Sequence, residues 1–332
     1  MTRDRGTVDV RLITQNGVER RKPDEIESLL DGPDLIWIDV PHWDATTEEA
    51  LGKRLNLNSR AMHDCAVRNP VPKVHVYPEQ VFLVMHAPER GARGHVHYIE
   101  LDQYIGPNWL ITVHGPMNPV VPLEAAYVET GAVSRRLEKG KLRPTRACEL
   151  SASLGTALTN RLRDFLTELT QEVWKLERQV TGGHMGDPEV FLEELFGVRH
   201  GLLAARTMAA MSREVYGRMC RLSVFGLGGK AQLDDLEDQF KRIAAMADSQ
   251  REYLQGVIEF YQTRTGTKMT IAAERLAVIA AVTLPITALS SIMGMNVIVN
   301  DSTHWGLLWL LLGIMSVMSL MLLIWARRKG WW

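Results

Sequence analysis

Two uncharged apolar stretches near the C-terminus constrain the fold more than any other feature of the sequence. Residues 276–293 and 305–325 contain no Asp, Glu, Lys or Arg. Each is long enough to cross a bilayer core as an α-helix, which takes about 20 residues at about 1.5 Å per residue. Because few residues separate them, they predict a tight transmembrane hairpin with the triplet Gly294-Met295-Asn296 at its tip.

The distribution of basic residues predicts the orientation of this hairpin. The C-terminal tail 327–332 begins Arg-Arg-Lys, whereas the loop 297–304 contains neither Lys nor Arg. By the positive-inside rule, both termini are expected in the cytosol and the loop outside the cytoplasmic membrane. The N-terminus lacks the apolar core of a secretory signal, so residues 1–270 are expected to remain cytosolic.

Composition excludes several functional classes. The formal net charge is −1, which does not favour nucleic acid as a partner. Cys65, Cys148 and Cys220 are widely spaced, which is not typical of a disulfide framework or a zinc knuckle. We find no nucleophile–base set, P-loop or dinucleotide fingerprint, so an enzyme is not expected.

Upstream of the hairpin, the pattern predicts an α+β membrane protein with two cytosolic parts. Residues 1–143 alternate strand-like and helical segments, which is typical of an α/β domain with a mixed sheet. The strand-like segments are 8–14, 35–40, 74–86 and 99–114, the last with a turn at Asn108, and the helical ones 23–30, 46–56, 59–67 and 120–138.

Residues 144–269 predict a helical stalk. Gly182-Gly183 should end its first helix, and Asp187-Pro188 should cap the second. Gly226, Gly228 and Gly229 are expected to end that second helix. A third helix should run from about residue 231 to about residue 292, roughly 90 Å. Its heptad-like apolar seam consists of Leu233, Leu236, Phe240, Ile243, Ala247, Gln250, Leu254, Val257 and Tyr261.

The first apolar stretch, within 270–296, is the more polar of the two and is expected to line a pore. It carries Thr283, Thr287, Ser290 and Ser291, whereas the second span, 305–326, is nearly all Leu, Met, Ile and Trp. Polar side chains in a membrane span usually face protein or water, and one hairpin cannot enclose a water-filled path. A homo-oligomer in the lipid bilayer is therefore expected. Alternatively, these hydroxyls bond only to their own helix.

The hairpin resembles the CorA divalent-cation transporters, which carry Gly-Met-Asn at the end of the first span. Pro285 lies nine residues before Gly294, as in that family, and the basic tail is followed by Gly-Trp. The segments 233–239, 257–261, 72–74 and 81–84 also resemble the family's stalk and N-terminal domain.

This resemblance implies a homopentamer whose first spans line the pore, above a cytosolic funnel of α/β domains and stalk helices. It implies transport of Mg²⁺, with Co²⁺ and Ni²⁺ accepted, and closure by intracellular Mg²⁺ bound between subunits. Mg²⁺ would be both substrate and regulatory ligand, and no cofactor is expected. A related branch, the ZntB proteins, handles Zn²⁺.

The resemblance also assigns residues of the pathway. At the tip, a ring of Asn296 side-chain oxygens would accept hydrogen bonds from the water shell of Mg²⁺, with the Gly294 carbonyl beside it and Met295 packing. The alternative interpretation is that the triplet is a helix C-cap, a position at which Gly and Asn are common. Family positions that face the pore correspond to Thr270, Ala273, Leu276, Leu284 and Thr287. The two leucines would form apolar constrictions and Thr287 a polar ring.

Four acidic residues are candidates for cytosolic metal binding. Asp235 and Asp238 are three residues apart and share a helix face, where metal would relieve their mutual repulsion. Glu89 is the candidate partner on the α/β domain, and Glu259 would attract cations near the inner mouth. For Asp235, Asp238 and Glu259, a solvated surface acid is the alternative.

Some residues depart from the family pattern or leave the identity of the transported ion open. The loop 297–304 has Asp301 as its one acid and lacks the family's Met-Pro-Glu-Leu segment, while Met293 and Thr270 replace an aromatic residue and an Asn. His95 and His97, two apart in an expected strand, would bind a soft divalent ion or simply be exposed. Zn²⁺ transport, with or without proton coupling, and a membrane-tethered scaffold are the competing hypotheses.

Overall fold

The structure is a computed structural model that describes residues 7–116, 118–183, 187–222, 226–294 and 305–328. The chain divides into two compact units, residues 1–255 and 256–332.

The first unit contains a mixed sheet, as predicted, and this sheet has seven strands. Its strands are β1 (Asp9–Thr14), β2 (Gly17–Arg21), β3 (Leu35–Val40), β4 (Lys73–Val76), β5 (Val81–Arg90), β6 (Val96–Ile105) and β7 (Trp109–His114). Their order across the sheet is β2-β1-β3-β7-β6-β5-β4. The pairing of β3 with β7 is parallel, whereas the other neighbouring pairs are antiparallel.

Buried side-chain hydrogen bonds cross the parallel β3–β7 pair. Trp37 Nε1 donates to Thr112 Oγ1 at 3.0 Å, and that hydroxyl donates to Asp39 Oδ1 at 2.6 Å. His114 Nε2 lies 2.9 Å from the same carboxylate oxygen. These groups are almost fully buried, so these hydrogen bonds offset part of the cost of enclosing polar atoms in the sheet.

Short helices cover one face of this sheet. They are α1 (Ile26–Leu30), α2 (Ala45–Gly52) and α3 (Ser59–Ala66), and a fourth, α4 (Val128–Glu138), follows β7. The side chains of Asp44 and Asn58 cap α2 and α3 by accepting from Thr47 N and Arg60 N. The apolar core between these helices and the sheet includes Ile36, Ile38, Phe82, Tyr104 and Ile111.

Two long helices, α5 (Ala147–Gly182) and α6 (Pro188–Cys220), follow the sheet. Their ends confirm two predictions. Gly183 closes α5 in the left-handed region at φ 78°, and Asp187 caps α6 by accepting from Glu189 N. The prediction that Gly226, Gly228 and Gly229 end α6 was wrong. The helix stops at Cys220, and these glycines belong to the first turn of α7 (Gly226–Gly294).

Within the first unit, the predicted apolar seam on α7 is largely buried from Leu233 to Leu254, whereas Val257 and Tyr261 belong to the second unit. Leu236, Phe240 and Leu254 are each at most 1% exposed, and the Phe240 ring stacks on Tyr216 of α6 with centroids 5.3 Å apart. Thr159 Oγ1 of α5 donates to Gln239 Oε1 at 3.0 Å. The seam therefore packs α7 against the two preceding helices, which explains its heptad spacing.

The second unit contains the rest of α7 and one further helix, α8 (Trp305–Arg328). By length and composition, the described residues include two helices that can cross a membrane, and these are α7 and α8. Pro285 lies inside α7. Large apolar side chains are widely exposed here, including Leu284, Trp309 and Met321. Such exposure requires lipid or protein around this unit.

Two further differences from the expected elements concern the sheet. The stretch expected as one strand at 74–86 is two strands, β4 and β5, with a turn between Tyr77 and Gln80. β2 was not predicted, because its residues Gly-Val-Glu-Arg-Arg offer no apolar face.

Candidate metal-ion pathway

Five side chains predicted to line a pore lie on one side of α7. At about 100° per residue, these positions fall within an arc of about 120°. All five are exposed, and they are Thr270, Ala273, Leu276, Leu284 and Thr287. Val278, the buried residue among 270–292, lies outside this arc. The arc is therefore open to lipid, to water or to another copy of the chain.

The hydroxyls on this arc bond to their own helix. Thr270 Oγ1 donates to the carbonyl of Gly266 at 3.1 Å, and Thr287 Oγ1 donates to that of Thr283 at 2.8 Å. This is the alternative considered for polar residues in the span. A hydroxyl that donates to its helix keeps two lone pairs, which can accept from the water shell of a cation. Back-bonding is thus compatible with lining a wet path.

The Gly-Met-Asn triplet begins at the last residue of α7, which is Gly294. Met295 and Asn296, predicted to hold the ion with it, lie outside the described residues. Pro285, nine residues earlier, has no N–H, so the carbonyl four residues before it lacks its usual helical donor.

The acidic segment of α7, which we define as Asp234, Asp235, Glu237 and Asp238, is exposed except at the half-buried Glu237. Asp235 and Asp238 are exposed, and Asp235 Oδ2 accepts from Gln239 Nε2 at 2.6 Å. Glu237 instead lies 3.8 Å from Arg213 of α6. Burial, together with a hydrogen bond to Asp234, raises the pKa of Cys220 to about 12. The two predicted regulatory acids therefore face outward together.

Glu89 takes part in an ion-pair network that the sequence did not reveal. Its Oε2 lies 2.7 Å from Arg161 Nη2 of α5, and Arg161 Nη1 lies 3.1 Å from Glu129 of α4. Arg161 Nη1 also donates to the carbonyl of Ala125 at 2.9 Å. Glu89 is thus neutralised within its own chain, and its side chain remains 30% exposed.

The three predicted metal-binding acids of the first unit, Glu89, Asp235 and Asp238, do not form a common cluster in the described chain. Glu259 is exposed on the part of α7 that belongs to the second unit. In the part of the chain that the structure describes, no three His, Cys, Asp or Glu side chains stand where they could hold a metal ion. Any such site must therefore draw ligands from more than one copy or from residues outside the described ranges.

His200 of α6 lies beside the predicted histidine pair, His95 and His97. His95 ends a 3-10 turn just before β6, and its ring meets that of His97 edge-on at 4.6 Å between centroids. The His200 ring stacks on the His95 ring with centroids 5.9 Å apart. Asn118 Nδ2 lies 3.3 Å from His97 Nδ1. The three rings do not form a ligand set for a metal as they stand.

Comparison with known proteins places the chain in a family. Residues 32–328 match the family model described as CorA-like Mg²⁺ transporter protein. The chain belongs to this CorA-like family. It is therefore a membrane transporter of divalent metal ions and not an enzyme.

Relatives of this CorA-family chain are distant in sequence but match over nearly its whole length. YfjQ of Bacillus subtilis, named as a metal ion transporter, is 22% identical over 308 residues, covering 90% of this chain and 91% of its own. The cobalt/magnesium transport protein CorA of Thermotoga maritima is 22% identical over 324 residues, covering 93% and 88%. The solved CorA magnesium transporter of Methanocaldococcus jannaschii has the same fold, with a TM-score of 0.80, 19% identity and 98% coverage of both chains.

A buried polar cluster of the CorA-family chain was also missed at the sequence level. Asn69 donates through its backbone N and its Nδ2 to the two oxygens of Glu100, at 2.9 and 2.5 Å. Cys65 Sγ lies 3.5 Å from Tyr104 Oη. Burial, and then the charge of Glu100, raise the pKa of Asp102 well above its usual value. Two acids at alternate positions of the largely buried strand β6 were the available signal.

Proposed function

We propose that the protein carries Mg²⁺, and to a lesser degree Co²⁺ or Ni²⁺, across the cytoplasmic membrane through a homopentameric pore. The family match carries this proposal, because residues 32–328 include both apolar helices and the Gly-Met-Asn triplet. Relatives named for cobalt/magnesium and magnesium transport favour these ions. Both termini would lie in the cytosol, as the basic residues after the second span predict.

The exposed arc of α7 supports an oligomer. Leu276 and Leu284 are each 66% exposed in the single chain, although they lie in the more polar of the two spans. In a ring of subunits with these arcs inward, the leucines would narrow the pore and exclude water when it is closed. Thr270 and Thr287 would present hydroxyl oxygens to a hydrated ion at other levels.

Ion entry would be controlled by the triplet at the outer end of the pore. A ring of Asn296 amides can select hydrated Mg²⁺ without stripping waters that this ion holds tightly. Inward movement is favourable, since a divalent ion gains about 4.6 kcal/mol in an inside-negative potential of 100 mV.

Ion flux into proteoliposomes tests the pathway. We expect Asn296→Ala to lower Mg²⁺ influx at least about tenfold, the change that about 1.4 kcal/mol of ion-binding free energy produces. Asn300→Ala, in the same loop, is the matched control and should retain influx. Equal losses in both variants, or no loss in Asn296→Ala, would contradict the assignment.

Cytosolic metal would close the pore through Asp235 and Asp238. Carboxylates that face each other between subunits repel when empty, and bound Mg²⁺ removes that repulsion. Replacing both by Ala should make influx less sensitive to Mg²⁺ on the cytosolic side. Asp234→Ala, whose side chain is directed towards Cys220, should retain the wild-type sensitivity. Unchanged inhibition in the double variant would remove the regulatory role.

The second candidate function is Zn²⁺ transport by the same pathway. It is favoured by the loop 297–304, because a loop whose one acid is Asp301 has little negative charge with which to concentrate Mg²⁺. Influx of Mg²⁺, Co²⁺ and Zn²⁺ measured with and without a pH gradient separates the candidates. Faster Zn²⁺ influx that responds to the gradient would support the second.

A further inference from the structure

A cluster of basic residues lies where α4 ends and α5 begins. We define the basic segment as Arg135, Arg136, Lys139, Lys141, Arg143 and Arg146. All six are exposed, and Glu138 is the one acid between the first and the last of them. The whole chain has a net charge of −1, so this is a strong local excess of positive charge.

The basic segment is a fixed part of the surface. Gly140, in the left-handed region at φ 64°, ends the helix, and three backbone hydrogen bonds of 2.9–3.2 Å close the turn around it. Leu137 and Ala147 are at most 3% exposed and anchor the two sides of the segment in the core. The cations are therefore held in place by folded structure on both sides.

The positive charge of the basic segment is not neutralised by the chain itself. Among residues that the structure describes, none of the six cations has an acid within ion-pair distance. The nearby acids are engaged elsewhere, since Glu138 accepts from Ser134 and Glu149 accepts from Thr145. Like charges this close repel one another, so the segment favours a negatively charged partner.

The acidic segment of α7 lies at the same end of the helices. The basic segment leads directly into α5, and a Cβ added at Gly155 of α5 would lie 2.9 Å from Leu236 of α7. Gln239, next to the acidic segment, bonds to Thr159 of α5. Even so, the two segments of opposite charge form no ion pair with each other in one chain.

We propose that the basic segment of one subunit binds the acidic segment of the next subunit in the ring. The proposal rests on the oligomer proposed above. A ring of identical copies joins two different surfaces of each subunit, and these two surfaces have complementary charge near the start of α5. The neighbour's Lys and Arg side chains and divalent metal are then alternative counter-charges for Asp235 and Asp238.

Zero-length carbodiimide cross-linking of the full-length protein tests this contact. The reagent joins a lysine amine to a carboxylate with loss of water only when the two already touch. Unlabelled and ¹⁵N-labelled chains are co-reconstituted, so that mass spectrometry distinguishes links between subunits from links within one. In metal-free buffer we expect Lys139 or Lys141 joined to the acidic segment across subunits, with the yield falling when Mg²⁺ is added. Absence of these links, or links within one chain alone, would overturn the proposal.

A functional measurement provides the second test. Lys141→Gln with Arg143→Gln removes two competitors of the metal and should lower the Mg²⁺ concentration that half-inhibits influx, by about threefold for exposed ion pairs. Arg199→Gln, an exposed cation of α6, is the control and should not change it. An unchanged half-inhibiting concentration in the double variant counts against the proposal. A monomer in native mass spectrometry, or no influx in wild type, would instead reject the proposed function itself.

Discussion

Replacing Arg161 by Met tests the ion-pair network that joins α5 to the sheet and to α4. The change leaves the Glu129 carboxylate, which is 3% exposed, and the Ala125 carbonyl without their donor. Glu89 is 30% exposed and can be rehydrated, so most of the loss comes from Glu129. Removing one partner of a buried pair costs about 3–5 kcal/mol in free energy of unfolding. At about 2–4 °C per kcal/mol, Tm of the first unit should fall by at least about 6 °C.

Cys65 provides a direct assay for this loss. It is 2% exposed within the core of the first unit, so it reacts with a thiol-specific fluorogenic dye only after that unit unfolds. The measurement uses full-length protein in detergent with Cys148 and Cys220 replaced by Ser. Arg163→Met, an exposed neighbour on α5, is the control and should leave Tm nearly unchanged.

A double variant separates the buried charge from simple loss of packing. In Arg161→Met with Glu129→Leu the orphaned carboxylate is gone, so at least half of the lost stability should return. A fall in Tm below about 2 °C for Arg161→Met, or a double variant less stable than the single one, would refute this account of the network.

Two further predictions use the same thermal assay. Burial and the charge of Glu100 raise the pKa of Asp102. The folded chain therefore keeps a proton on this carboxyl that the unfolded chain releases above about pH 4. The contribution of Asp102 to the free energy of unfolding consequently falls as pH rises. Asp102→Asn should therefore raise Tm at pH 8, with a gain that disappears towards pH 4, and a gain independent of pH would contradict the linkage. Gly94 has φ 74°, and an added Cβ would lie 2.4 Å from Gly197 Cα, so Gly94→Ala should lower stability by about 2 kcal/mol or more. Gly256→Ala on α7 is the control. A Cβ added there has no atom within 4 Å, so Tm should stay the same or rise.

The fold was largely predictable where local sequence and tertiary packing agree. β3 has the predicted bounds because Leu35–Val40 is a compact run, apolar except for Asp39, that is buried throughout. The C-terminal end of α5 was predictable from Gly183, and the start of α6 from the Asp187-Pro188 pair. β2 and the start of α7 were missed, because an exposed edge strand has no apolar pattern and glycines usually follow a helix.

The candidate sites were harder to predict, because their partners are distant in sequence or belong to other copies. Arg161 meets Glu89 across 72 residues, and no spacing rule connects them. Asp235 and Asp238 were predicted as metal ligands from their spacing on one helix face, and they remain a prediction, because a shared metal would need ligands from a second chain. The resemblance to a family supplied the roles of Gly294, Met295 and Asn296, which remain predictions.

The parallel pairing of β3 with β7 has a consequence for how fast the first unit folds. On one side, β1–β3 form antiparallel pairs from residues close in sequence, and on the other, β4–β7 do the same. Joining the halves brings together Trp37 and Thr112, which are 75 residues apart. Closing so long a loop costs conformational entropy before any contact between the halves forms. We therefore expect this event to limit the folding rate. Until it occurs, a nascent chain exposes two unpaired strand edges that chaperones or other copies can bind.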